Sequence, residues 1–103
     1  MSTEKQLLLL RSFFSAYFHE DWICDDDGTK SVVTRYARNA APADIRALGE
    51  AILDYSGGFE SDRELEEELF KDLGCYYRPS GEGLSAKAWL EGVADQLLRS
   101  SRT

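Results

Sequence analysis

Apolar side chains in this chain recur at steps of three and four residues in five separate stretches, and in none do they alternate with period two. Steps of three and four return to one face of an α-helix, whereas a half-buried strand needs alternation with β-branched enrichment. The pattern predicts an all-α fold, a single compact bundle of about five helices. Leu7, Leu10, Phe14 and Tyr17, flanked by Phe13 and Phe18, mark a first helix from about Thr3 to His19. Asp25-Asp26-Asp27-Gly28 breaks the periodicity, and Thr29 stands ready to cap a second helix that presents Val32, Val33 and Tyr36 and stops near Asn39. Pro42 suits the first turn of a third helix, where its missing N–H costs nothing; Ile45, Leu48, Ile52 and Tyr55 follow, and Gly57-Gly58 ends it. Ser61 and Glu64 have capping-box spacing ahead of a fourth helix with core residues Leu65, Leu69, Phe70 and Leu73, and Gly74 stands where a left-handed residue is wanted. Pro79, Gly81 and Gly83 read as a loop before Ser85 caps a last helix carrying Trp89, Leu90, Val93 and Leu97. Cys75-Tyr76-Tyr77 fits either an extension of the fourth helix or a free run across the surface.

At 103 residues the chain is read as one domain over residues 1–103, since a domain of this size buries roughly 60–65% of its unfolded surface and needs no staple to keep a core. Acids outnumber bases 19 to 12, for a formal charge of -7. That balance argues against nucleic acid and anionic membrane as partners, because phosphate backbones are held through Lys and Arg, and it favours a basic partner. Cys24 and Cys75 are too few for a disulfide framework and read as buried or half-buried thiols. The run Leu7-Leu8-Leu9-Leu10 is too short for a membrane span and lacks the flanks of a signal peptide, so the expected compartment is the cytoplasm.

Catalytic and metal chemistry find little purchase. His19-Glu20-Asp21 sets the one histidine beside two carboxylates, but neighbours on a helix point in different directions, and a base and its orienting acid must meet in space. A small hydrolase using His19 is the least favoured reading. A zinc site would have to gather His19, Cys24, Cys75 and a carboxylate without the close ligand pairs that advertise one. Aligning Asp25, Asp27 and Gly28 with an EF-hand loop puts Ile23 first and Thr34 last, where carboxylates are required. No Gly-rich phosphate loop, nucleophile elbow or paired-cysteine motif occurs, so the expectation is a protein without catalytic residues or cofactors.

Charge pattern carries more. Glu20, Asp21, Asp25, Asp26 and Asp27 form one acidic run, and Glu60, Asp62, Glu64, Glu66, Glu67, Glu68 and Asp72 a second, relieved by Arg63 and Lys71. Such runs are often just the wet face of an amphipathic helix, with acids near its N-terminus favoured by the dipole. Glu64, Glu67 and Glu68, however, occupy neighbouring helical positions and repel one another, a cost that a basic partner would relieve. The expected partner surface is Asp25, Asp26, Asp27, Glu60, Asp62, Glu64, Glu67 and Glu68, with Tyr76 and Tyr77 as aromatic anchors.

Two stretches add a resemblance. Tyr17-Phe18-His19-Glu20-Asp21-Trp22, and Leu73-Gly74-Cys75-Tyr76-Tyr77-Arg78-Pro79 leading to Leu84-Ser85 and Trp89-Leu90, resemble a family of bacterial contact-dependent growth inhibition immunity proteins, from about Leu7 to Leu97. The resemblance implies a small α-helical cytoplasmic protein that binds and blocks the C-terminal toxin domain delivered by a neighbouring cell. Many such toxins are nucleases, whose clefts are basic because they hold a polyanion, so an acidic inhibitor forming a 1:1 complex as a monomer is the expectation. Tyr17, Phe18 and Trp22 themselves continue the buried stripe and are read as closing the core. The alternative is an acidic adaptor or nucleic-acid mimic occupying a basic site on a cellular protein.

Overall fold

The computed structural model describes residues 3–18 and 28–101, apart from the Glu82 side chain. Among them are five α-helices and no strand: α1 (Glu4–Tyr17), α2 (Thr29–Asn39), α3 (Pro42–Gly57), α4 (Asp62–Lys71) and α5 (Ala86–Ser100), with one 3₁₀ turn at Pro79–Glu82 before α5. The radius of gyration is 12.5 Å, close to the ~13 Å of a close-packed chain of this length.

The helix starts show how local chemistry sets the frame. Thr3 and Gln6 form a reciprocal capping box at α1, the Gln6 N–H donating to Thr3 Oγ1 at 3.1 Å and the Thr3 N–H to Gln6 Oε1 at 3.0 Å. Ser85 Oγ accepts from the Ala88 N–H at 3.0 Å and opens α5 as its spacing predicts. Ser61 Oγ accepts from Glu64 N–H at 3.4 Å, but only this half of the expected box is present among the described residues. The cap of α2 differs from expectation: Gly28 holds the cap position without a side-chain bond and Thr29 is already helical. The reason is a competing partner, because the Trp89 indole Nε1 donates to Thr29 Oγ1 at 3.0 Å and ties the start of α2 to α5.

α5 is the hub, packing on α2, α3 and α4, with its most extensive contact on α3, while α1 lies against α3. Gly49 permits the close α3–α5 approach, since a Cβ there would sit 3.0 Å from the Leu98 side chain. The core combines Leu10, Phe14, Leu48, Ile52, Leu65, Leu69, Leu90 and Leu97, all essentially out of water, each such side chain contributing about 1.5–3 kcal/mol. At the open end of α1 an aromatic cluster closes it, with Phe18 edge-on to Trp89 at 5.3 Å and Tyr77 against Trp89 at 4.8 Å.

Cys75-Tyr76-Tyr77 neither extends α4 nor runs free. Gly74 takes φ +73, with Ser15 of α1 close enough that a Cβ would come within 3.2 Å. The chain then leaves α4 extended, with the Cys75 N–H donating to the Leu69 carbonyl at 2.9 Å and the Tyr76 N–H to the Phe18 carbonyl at 2.8 Å. Cys75 is fully buried and unpaired; Cys24 lies outside the described residues. Burial pushes the Cys75 thiol from 9.0 up to about 12, a backbone hydrogen bond at Tyr77 opposing the rise and the negative field of Glu66 adding to it.

Two carboxylates stitch α4 to the segments after it. Asp62 accepts from the Ala86 N–H at 2.8 Å and the Lys87 N–H at 2.9 Å, satisfying open donors at the start of α5. Glu66 accepts from the Ser80 N–H at 3.0 Å and Ser80 Oγ at 2.9 Å, holding the 3₁₀ turn.

Two outcomes follow from these contacts. Asp62→Ala is expected to lower unfolding free energy by about 2 kcal/mol in a urea titration, because two charge-assisted bonds are lost, whereas Glu91→Ala on the exposed face of α5 should stay within about 0.5 kcal/mol. The raised Cys75 pKa means that the unfolded thiol ionises near 9 while the folded one stays protonated to about 12. Its contribution is therefore intact below pH 9 and is lost as pH climbs between those values. The urea midpoint should fall across that window, and fall less steeply in Cys75→Ala; equal slopes would rule the thiol out as a cause.

Candidate functional site

Successive residues of an α-helix turn by about 100°, so positions four apart form ladders along it. On α4 and its C-cap, Leu65, Leu69 and Leu73 form the buried ladder. One residue back, on one flank, lies the ladder Glu64, Glu68 and Asp72. One residue forward from the leucines, on the other flank, lies Glu66 with Phe70. Phe70 is half-buried rather than in the core as its hydrophobicity suggests, because the leucines take the inward face. It packs edge-on against Tyr76 at 5.0 Å and carries the Arg78 guanidinium over its ring at 4.8 Å.

The Glu64 flank opens onto a groove of about 680 Å³ between α4, the end of α3 and α1. Its apolar lining comes from Leu7, Tyr55 and Phe59, and five carboxylates surround it: Asp54, Glu64, Glu67, Glu68 and Asp72. Among the described residues no basic side chain is part of the lining, although Arg11 reaches its edge at Asp72. Neighbours hold three of the acids. Arg11 Nη2 donates to Asp72 Oδ1 at 2.7 Å, offsetting a negative charge at the negative end of the α4 dipole. Gln6 Nε2 donates to Asp54 Oδ2 at 2.8 Å, and Arg63 stands 3.5 Å from Glu67 in an exposed pair of small energetic weight. Glu64 and Glu68 make no side-chain hydrogen bond or ion pair among the described residues.

Beneath the acids lies a second feature. Tyr55 is 7% exposed, its ring 5.2 Å from that of Phe59, and its hydroxyl is buried with no hydrogen-bond partner among the described residues. An orphaned buried hydroxyl costs roughly 1–3 kcal/mol. Burial first, then the negative fields of Asp72 and Glu68, push its ionisation well above the ordinary tyrosine value against an opposing pull from Arg11, so it stays a neutral phenol.

The residues expected from sequence to make a partner surface are thus divided. Glu64, Glu67 and Glu68 come together at the groove, and Glu60 is exposed just before α4. Asp62 does not join them: its carboxylate is occupied at the start of α5 on the other side of the helix. Tyr77 is corrected from a surface anchor to a core residue, 8% exposed against Trp89, because the backbone bond from Tyr76 to Phe18 turns it inward. Tyr76 is 46% exposed but sits on the flank away from the groove. Asp25, Asp26 and Asp27, with His19 and Trp22, lie outside the described residues. Sequence reasoning misses Asp54, which reaches the groove from α3, and reads Tyr55 only as core, since no local pattern joins either to the acids of α4.

Among the described residues no group of three His, Cys, Asp or Glu side chains is placed to hold a metal ion, and no helix is long and apolar enough to cross a membrane. The two stretches that carry the family resemblance are where the fold locks: Phe18, Gly74, Tyr77, Ser85 and Trp89 supply the aromatic closure, the left-handed turn and the α5 cap. No curated protein and no solved structure matches the chain. The family model described as CdiI immunity protein matches residues 6–97. With that match running from within α1 to within α5, the chain belongs to the CdiI immunity protein family.

Proposed function

We propose that this protein is a single-domain, non-catalytic inhibitor that works in the cytoplasm, binding the cognate toxin domain of a contact-dependent growth inhibition system one to one and covering its active cleft, and that the toxin is a nuclease. The observation that carries the nuclease reading is the groove on α4, where five carboxylates gather and, among the described residues, no base is part of the lining. A nuclease cleft must attract a polyanion, so its potential is positive, and a field of the opposite sign on the inhibitor steers encounter and disfavours other partners. Protection at nanomolar affinity corresponds to about −12 kcal/mol, within reach of an interface of roughly 800 Å² per partner.

Division of labour along α4 supports the same reading. Asp62 and Glu66 are spent inside the fold, while Glu64 and Glu68 have no side-chain partner among the described residues although their mutual repulsion costs stability. In water that cost is about 0.2–0.5 kcal/mol per pair, and a partner cation replaces it with attraction. Glu60, Glu64, Glu67 and Glu68 are the proposed partner-facing acids, with Asp25, Asp26 and Asp27 as further candidates and Tyr76 as an aromatic contact at the edge.

Co-expression of this chain with the toxin domain encoded beside it should restore growth and yield a complex that co-purifies; loss of both outcomes would remove the reading. Within that complex, reversing Glu64, Glu67 and Glu68 to lysine is expected to slow association at least about 10-fold at low salt and to flatten its dependence on ionic strength. Stopped-flow association measured at several salt concentrations checks both.

A further inference from the structure

We propose that the α4 groove is a receptor for one arginine side chain of the toxin, its guanidinium bridging Glu68 and Asp72 and reaching the Tyr55 hydroxyl, with its planar face against Phe59. The inference rests on the reading that this chain binds a toxin domain, and it names the chemistry that the groove recognises.

Three observations converge on this occupant. The first is the pattern of satisfied and unsatisfied acceptors. Arg11 takes Oδ1 of Asp72, leaving Oδ2 for a second donor, and Glu68 on the preceding turn has no hydrogen-bond or ion-pair partner among the described residues. The second is the Tyr55 hydroxyl, closed to solvent and unpartnered among the described residues, which lies in the negative field of those same two carboxylates with Arg11 opposing it. A phenol oxygen accepts a hydrogen bond while its proton is donated onward. An incoming N–H therefore donates to the phenol oxygen, and a carboxylate that shifts to meet the cation accepts the phenol proton. Glu68, which no bond holds in place, swings aside to admit it. The third is the floor: Phe59 and Tyr55 present ring carbon beneath the acids, the surface over which a weakly hydrated planar cation stacks.

The same observations discriminate among cations. A metal ion needs several converging ligands, and no such group of three exists among the described residues. A lysine ammonium is a compact point charge that keeps its water and has no flat face. Arginine brings five donors in a fixed fork, enough to reach two carboxylates and a hydroxyl at once.

The test is binding of the full-length chain to the cognate toxin domain, with Tyr55→Phe and Glu68→Gln as variants and each toxin arginine changed singly to methionine. Tyr55→Phe should weaken the complex about 10-fold, chiefly through faster dissociation, as expected for a lost hydrogen bond to a charged donor. Because the change removes an orphaned polar atom, the unfolding midpoint of the free variant should stay level or rise, which a merely structural hydroxyl would not combine with weaker binding. Glu68→Gln should cost at least as much. One toxin arginine should lose its effect in the Glu68→Gln background, the signature of direct coupling in a double-mutant cycle. The inference is overturned if the wild-type chain binds but both variants bind within about 2-fold of it, if no single arginine couples to Glu68, or if lysine at the coupled position retains full affinity. Absence of binding by the wild-type chain instead sinks the toxin-binding reading itself, so the two failures are told apart.

Discussion

The rotation of α4 about its own axis is the constraint on which the rest depends. Leu65, Leu69 and Leu73 go inward, and with that one choice each remaining side chain of the helix is assigned a neighbour. Asp62 and Glu66 meet α5 and the 3₁₀ turn, and Asp72 meets Arg11 on α1. Glu64 and Glu68 face the groove. Rotating the helix by one residue would bury carboxylates and expose leucines, a change that burial energetics forbids many times over.

This arrangement separates two uses of negative charge that look identical in composition. A carboxylate set against open backbone N–H groups, as Asp62 is, belongs to the scaffold and completes a helix start. A carboxylate set beside two others with no base between them, as Glu68 is, raises the energy of the free protein and lowers that of a complex with a cation. The aromatic stretches complete the division. Phe18, Tyr77 and Trp89 hold the end of α1 and the start of α5 together, so the stretches that carry the family resemblance build the frame, while Glu64, Glu67 and Glu68 are the part of α4 that lines the groove.

Much of the frame was legible from spacing. The five helices, the proline at the start of α3 and the serine cap of α5 each follow from a local rule with one dominant cause. The departures came where a distant partner outbid the local one. Thr29 gave its hydroxyl to Trp89 rather than to its own helix, and Cys75-Tyr76-Tyr77 became an inward-turning extended link because the Phe18 carbonyl lay open at the end of α1. The acids were visible as a run, but a run has no sides. Asp62 and Glu64 stand two residues apart and face different neighbours, and only the leucines' packing decides which. Asp54 and Tyr55 joined the groove through the α3–α4 approach, which no local pattern encodes.

The bond from the Tyr76 N–H to the Phe18 carbonyl has a mechanical consequence. It joins the end of α1 to the segment leaving α4, with Gly74 in between pressed against Ser15. The helices that bear Arg11 and Asp72 are thereby clamped at one end while their ion pair spans the groove side. The relative placement of α1 and α4 on either side of the groove is thus fixed at two points, one backbone bond and one ion pair, so that the side chains on its walls can move while the frame that carries them does not.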